Sequence, residues 1–227
     1  MFRKTALALL LAATGFSAQA ALNTGDIAFT SFNADEDGLS FVSFNGIAAN
    51  TTIYFGDNEW NGSAIGSGGA FNTGESFSKW VSGANNIAAG TVIRLSKVDT
   101  ATPGASVGSF SRVTVANSSN WGISNSNETI YAYLGTSATA PTTFLTAITN
   151  GSFAADGSLS GTGLTEGTNA IRLNALATTA TPDYAEYNGI RSGAANFDAY
   201  KAQVNNVANW TVDTSNGVYA STIPNTT

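Results

Sequence analysis

The sequence predicts an all-β protein, an antiparallel β-sandwich with one short helix near the C-terminus. Short runs of β-branched and aromatic residues recur along the chain, and clusters of Gly, Asn, Asp and Ser separate them. Several runs alternate apolar and polar residues, as strands with one buried face do. Hydrophobic residues make up 43% of the chain and aromatic residues 11%. Both fractions exceed those of disordered segments, so we expect one folded domain over residues 21–227.

The strand predictions rest on this alternation, for example Ile53 and Phe55 on either side of Tyr54. The predicted strands, in chain order, are Ile27–Phe32, Leu39–Phe44, Thr51–Phe55, Thr91–Ser96, Phe110–Val115, Thr129–Leu134, Thr142–Ile148, Asn169–Leu173 and Trp210–Val212. We expect each sheet to bury one face and to leave the other in water.

One helix is predicted shortly before the last strand. Phe197, Tyr200, Val204 and Val207 follow a helical spacing, and Asn196 is a suitable N-cap. We expect this stripe to pack on the core, with a binding helix as the alternative.

The N-terminus has the pattern of a secretory signal peptide over residues 1–20. Arg3 and Lys4 give a positive start, residues 6–13 are apolar, and Ala18-Gln19-Ala20 is a typical cleavage site. The alternative is a membrane anchor, but the apolar run is shorter than the about 20 residues that span a bilayer. The expected location is therefore secreted, extracellular or at the cell surface, without membrane insertion.

Composition excludes several kinds of chemistry. The 227 residues include no Cys and no His, so a Ser-His-Asp triad, a Cys-His nucleophile and thiolate or imidazole metal sites are ruled out. The net charge is −6 and becomes −8 without Arg3 and Lys4, which makes nucleic acid and anionic lipid poor partners.

One segment occurs twice, 40 positions apart. Residues 47–55 (IAANTTIYF) match residues 87–95 (IAAGTVIRL), and residues 164–173 are a weaker third copy. Three copies at unequal spacing do not form a solenoid. They indicate a repeated turn in which Asn or Gly adopts a positive φ before a strand.

These segments carry a resemblance to a known family. The chain resembles a family of secreted bacterial β-sandwich domains in residues 22–29 (LNTGDIAF), 33–35 (NAD), 41–42, the Ala-Ala-x-Thr-x-Ile turn, 55–60 (FGDNEW), 71–75 (FNTGE), 129–133 (TIYAY), 164–173, 187–189 and 209–210. That family is similar in outline to the lamin-tail domain and is often found in exported proteins with a PEP-type sorting tail. The resemblance implies export and a sandwich fold but no single function. It does not extend to the sorting tail, since the sequence has no Pro-Glu-Pro motif before Thr227.

The strongest chemical motif is Asn33-x-Asp35-x-Asp37-Gly38, which matches the first half of a calcium loop. Position 12 of that loop would need a bidentate Glu, but Phe44 is there. Asp57 or Glu59 could complete a calcium site. The alternative is a solvated acidic turn between two strands.

Two further kinds of site have weaker signals. The pairs Asp57 with Glu59 and Glu36 with Asp37 have the chemistry of a general acid and base, although fifteen acidic residues offer many chance pairs. The aromatic residues Trp60, Trp121, Tyr54 and Trp80 could form a platform for sugar rings, and buried packing is the alternative.

Three functions follow as hypotheses. The first is a non-enzymatic structural protein of the cell surface, extracellular matrix or biofilm, which would assemble into filaments by edge pairing or by donation of its N-terminal strand. In the donation version, residues 21–29, including Ala21, Ile27 and Phe29, would provide the contact. The second is a module that binds calcium or extracellular polysaccharide. The third is a secreted hydrolase that uses two carboxylates.

Overall fold

Over the residues that the structure describes, the fold is a sandwich of two six-stranded sheets with a single short α-helix near the C-terminus, which confirms the predicted fold class. The computed structural model describes residues 21–176, 181–213 and 217–227. The predicted signal peptide therefore lies outside the described residues. The strands are β1 Ile27–Asn33, β2 Gly38–Ser43, β3 Thr52–Gly56, β4 Phe77–Val81, β5 Val92–Ser96, β6 Gly104–Ala105, β7 Ser109–Arg112, β8 Thr129–Ser137, β9 Ala140–Thr149, β10 Ala170–Arg172, β11 Tyr184–Tyr187 and β12 Trp210–Val212. Helix α1 is Phe197–Val204, and 3-10 turns span Leu173–Leu176 and Val207–Asn209.

The strand order is β12-β11-β1-β2-β5-β6 in sheet I and β10-β9-β8-β3-β4-β7 in sheet II. All neighbouring strands are antiparallel except β9 and β10, which are parallel. The chain passes between the sheets four times, so both sheets share one hydrophobic core. Phe29, Phe41, Phe55 and Trp80 pack together at its centre with T-shaped and tilted ring contacts.

All nine predicted strands are present, with ends that shift by up to three residues. The strands β4, β6 and β11 were not predicted. In β4 the inward residues are Ser78 and Trp80 and the outward residues include Phe77 and Lys79, so polar and apolar side chains occur on both faces. This mixture hides the period-two pattern. The strands β6 and β11 are only two and four residues long.

The outer face of sheet II differs from the expectation of a solvated face. Tyr131, Tyr133 and Phe144 on this face are fully buried. They belong to a second hydrophobic cluster with Trp60 and Leu164, which come from the long loops before β4 and β10. These Gly- and Ser-rich loops therefore cover sheet II as part of the folded structure.

Helix α1 begins as predicted, because the Asn196 side chain accepts a hydrogen bond from the main-chain N–H of Ala199 at 2.9 Å. Val204 is buried against the core, whereas Phe197 is 41% exposed. The expected core stripe therefore holds at the C-terminal end of the helix and fails at its first residue.

Candidate functional site

The predicted calcium loop is a tight turn between β1 and β2 whose polar side chains accept hydrogen bonds from main-chain N–H groups. The Asn33 side-chain oxygen accepts hydrogen bonds from the main-chain N–H groups of Asp35 and Glu36, at 3.1 and 3.2 Å. Asp37 has a positive φ of 53°, and its carboxyl group accepts a hydrogen bond from the main-chain N–H of Ile123. The two Asn33 contacts are typical of an Asx turn, whereas the Asp37 contact ties the loop to a distant segment.

The fourth predicted calcium ligand, Asp57, follows β3 in sheet II, whereas the loop follows β1 in sheet I. Among the described residues, no group of three or more His, Cys, Asp or Glu side chains is arranged to hold a metal ion. The structure therefore does not bring Asp35, Asp37 and Asp57 together as one site.

Asp57 belongs instead to an acidic cluster at one end of sheet II. It is 7% exposed, and its carboxyl oxygens accept hydrogen bonds from the Ser76 N–H at 2.6 Å and the Ser76 hydroxyl at 3.1 Å. Glu128 is also buried and accepts a hydrogen bond from the Ser124 N–H at 2.8 Å. Asp57 and Glu75 both act electrostatically on Glu128. The Asp57 carboxyl group therefore holds Ser76, which directly precedes β4, and the Glu128 carboxyl group holds Ser124 in the loop before β8.

Burial raises the pKa of all three acids in this cluster. The pKa of Asp57 rises to about 7, chiefly through burial, and that of Glu75 rises to about 7 for the same reason. Burial and the nearby charge of Asp57 raise the pKa of Glu128 to about 9. Raised carboxyl pKa values are a feature of catalytic acids, but the cavity beside Asp57 measures only about 20 Å³. A cavity of this volume is about the size of one water molecule.

The aromatic residues proposed for sugar binding have different environments. Trp60 is only 2% exposed, and its ring packs edge-on against Phe71 and Phe144 at 5.1 and 5.0 Å. Trp60 therefore has the buried packing given above as the alternative to a sugar platform, because the loop that holds it folds onto sheet II. Trp80 is fully buried, and its indole N–H donates to the carbonyl of Val107 at 2.7 Å.

Trp121 and Tyr54 remain half-buried, each with one ring face covered. The Arg112 guanidinium lies 4.7 Å from the centre of the Trp121 ring, and Tyr54 stacks on Tyr133 at 5.9 Å. Each residue presents at most one ring face to a ligand.

The residues predicted to mediate assembly lie at the start of the described chain. Ala21 is exposed, whereas Ile27 and Phe29 are fully buried in β1. Strand β1 lies between β11 and β2 and pairs with both. Strand β1 is an interior strand of sheet I, so donation of β1 to another copy would require it to separate from both β11 and β2.

An apolar cleft lies between helix α1 and the outer face of sheet I, and we call it the α1 cleft. Its volume is about 90 Å³. The cleft is lined mainly by Val42, Phe44, Val92, Tyr187, Tyr200 and Val204. Ile190 and Phe197 also line it and are 50% and 41% exposed. Two exposed large apolar residues therefore stand beside an apolar depression.

Arg191 is the charged group of the α1 cleft. Its guanidinium lies 5.4 Å from the centre of the Tyr187 ring and donates to the Tyr187 carbonyl at 2.8 Å. Burial lowers the pKa of Arg191. The helical stripe is the one sequence signal for this cleft, because Ile190 and Arg191 lie in a loop with no periodic pattern.

Comparison of the chain with protein-family models, curated proteins and solved structures finds no match. Across the ranges 21–176, 181–213 and 217–227, no helix has the length and hydrophobicity needed to cross a membrane.

Proposed function

We propose that the protein is a secreted, non-enzymatic structural protein of the cell surface or extracellular matrix, and that its copies associate through the α1 cleft. The carrying observation is that Ile190 and Phe197 project beside an apolar depression on the same face of the molecule. The signal-peptide pattern and the low content of charged residues, 11%, support an extracellular structural role.

The size of the α1 cleft favours a protein side chain as its occupant. Small-molecule pockets measure about 300–1,000 Å³, whereas this cleft measures about 90 Å³. It therefore suits one large apolar side chain. Because the projecting residues and the depression share one face, two copies related by a two-fold axis can each insert a side chain into the other.

The charges around the cleft are compatible with such a pair. Lys201 and Asp198 lie on α1, and the Asp198 side chain is 89% exposed. Arg191 lies on the adjacent loop. Since the face carries both signs, a two-fold arrangement can place acidic groups of one copy opposite basic groups of the other.

The sheets favour this contact over edge-to-edge pairing. The terminal strands β12, β6, β10 and β7 have only two to four residues. Short terminal strands limit edge pairing in native β-proteins. An isologous contact closes on a dimer, so filaments would require a second contact elsewhere on the molecule.

Sedimentation velocity of residues 21–227 between 1 and 100 µM tests the proposal. We expect association that strengthens with concentration, and at least tenfold weaker association in Phe197→Glu, because a carboxylate at the cleft has no apolar burial to gain. Val218→Glu is the matched control, since Val218 is 90% exposed and does not line the cleft. A monomer at 100 µM, or association that Phe197→Glu leaves intact, would overturn the proposal.

A further inference from the structure

Two aspartates, Asp183 and Asp213, meet at one end of sheet I, outside the α1 cleft and beside Asp35 of the predicted calcium loop. Asp35 follows β1, Asp183 precedes β11 and Asp213 follows β12. Because β11 is antiparallel to both β1 and β12, the end of β1, the start of β11 and the end of β12 lie at the same end of sheet I. Main-chain hydrogen bonds fix this arrangement, from Ala34 N–H to the Asp183 carbonyl at 2.7 Å and from Asp213 N–H to the Tyr184 carbonyl at 2.8 Å.

Asp183 is the unusual member of this group. It is only 2% exposed, and its Oδ1 atom is buried without a hydrogen-bond partner. Its carboxyl group lies in hydrogen-bonding contact with that of Asp213, and the charges that act on it are those of Asp213 and Asp35, both negative. A buried carboxylate oxygen that faces another carboxyl group needs a proton or a cation between them.

We propose that a calcium ion binds between the carboxyl groups of Asp183 and Asp213, with the negative charge of Asp35 beside it. Hard oxygen donors on carboxylates and main-chain carbonyls are the ligands that calcium takes in proteins. Two carboxylates give a weaker site than a complete EF-hand loop, so the dissociation constant falls in the range of extracellular modules, about 0.1 to 1 mM.

The ion would fasten the C-terminal segment to sheet I. Asp35 accepts a hydrogen bond from the main-chain N–H of Tyr219, and Asn33 donates from its side-chain amide to the Tyr219 carbonyl at 3.0 Å. The Tyr219 ring stacks on Tyr184 with ring centres 4.6 Å apart. Neutralising the aspartates therefore stabilises the docking of residues 217–227 as well as the strand ends.

Thermal unfolding at pH 7 with calcium or with EDTA tests the proposal, together with calorimetric titration of calcium chloride into residues 21–227. At ten times the dissociation constant, bound calcium raises Tm by about 3 to 5 °C. Asp213→Asn should lose this rise, and its Tm in EDTA should exceed that of the parent protein, because one of two facing charges is gone. Asp183→Asn should lose the rise as well.

The matched control is Asp37→Asn, which keeps an oxygen for the Ile123 N–H and leaves the proposed site intact. It should show the full calcium effect. Equal melting of the parent protein with calcium and with EDTA, without binding heat, would overturn the proposal. A calcium effect that survives in Asp213→Asn and disappears in Asp37→Asn would assign the ion to the β1–β2 loop instead, and would also overturn it.

Discussion

Ile47 and Ile87 exchange two main-chain hydrogen bonds, from Ile47 N–H to the Ile87 carbonyl at 2.9 Å and from Ile87 N–H to the Ile47 carbonyl at 2.8 Å. These residues begin the two copies of the repeated segment, so the copies face each other across the sandwich in an antiparallel bridge. Within each copy the same turn follows, with Asn50 at φ 59° and Gly90 at φ 85°. The repeat therefore links sheet I to sheet II.

Gly90→Ala should lower the free energy of unfolding by about 1 to 2 kcal/mol, because a Cβ atom is strained at this φ. A steric clash does not contribute to this loss, since the nearest atom to a Cβ at position 90 is in the Phe197 ring at 3.5 Å, an ordinary van der Waals distance. Gly90→Asn should cost less, because Asn tolerates this conformation at the equivalent Asn50. Urea denaturation of the three proteins measures the difference, and equal losses for Ala and Asn would contradict the account.

The ion pair between Arg94 and Glu36 should be needed for stability at neutral pH. Arg94 Nη2 and Glu36 Oε1 are 2.8 Å apart, and the Glu36 side chain is only 7% exposed. Arg94→Met leaves a buried carboxylate without its cation and should lower the free energy of unfolding by about 2 to 3 kcal/mol at pH 7.

The loss should shrink at pH 4, since burial raises the pKa of Glu36 and protonation removes the unpaired charge. Adding Glu36→Gln to Arg94→Met should restore part of the stability at pH 7. Arg172→Met is the control, because its pair with Glu166 is exposed and should contribute less than about 1 kcal/mol. Equal losses for Arg94→Met at both pH values would contradict this interpretation.

The acidic cluster at the end of sheet II should make the protein less stable as pH rises. Burial raises the pKa of Asp57 and Glu75 to about 7 and that of Glu128 to about 9, so the folded state binds more protons than the unfolded state. The stabilisation is complete below the ordinary pKa of about 4 and is lost as pH rises through 7 and 9.

Glu128→Gln should flatten the fall in the free energy of unfolding between pH 5 and 9, because Gln stays neutral and can still accept from the Ser124 N–H. Glu166→Gln, at an exposed position, should keep the parent slope. Urea denaturation across this pH range provides the measurement. A slope that Glu128→Gln does not change would show that Glu128 is charged in the folded state.

Trp60 should hold the long loop before β4 onto sheet II. Trp60→Ala removes its contacts with Phe71 and Phe144 and should lower the free energy of unfolding by about 3 to 5 kcal/mol. Amide hydrogen exchange should accelerate most over residues 61–70. Trp121→Ala is the control, since the half-buried Trp121 should cost far less. Unchanged exchange in this loop would exclude the role given to Trp60.

Local sequence patterns predicted the strands and the helix whose residues follow a regular spacing. Alternation identified strands such as β3 and β5, and the Asn196 cap with the spacing to Val204 identified α1. These patterns did not predict the second hydrophobic cluster on sheet II. Trp60 and Phe144 are 84 positions apart, and neither strand alternation nor helical spacing indicates a contact between residues so distant in sequence.

The candidate sites depended still more on tertiary contacts. The spacing of Asn33, Asp35 and Asp37 resembles a calcium loop, but the sequence does not show that Asn33 and Asp37 bond to main-chain groups. Likewise, Asp183 and Asp213 become neighbours only through the pairing of β11 with β12. The exposure of Phe197 depends on where α1 crosses sheet I, which a helical period does not specify.

The central claim is that copies associate through the α1 cleft with β1 in its own sheet, and a disulfide lock tests it most directly. The hydroxyl oxygens of Ser31 on β1 and Ser40 on β2 are 2.6 Å apart, and the parent chain has no cysteine. The oxidised double variant Ser31→Cys/Ser40→Cys therefore fixes β1 to β2. Sedimentation velocity should show the parent association in the locked protein and its loss in Phe197→Glu. Loss of association in the locked protein, with Phe197→Glu unaffected, would contradict the claim and assign assembly to exchange of β1.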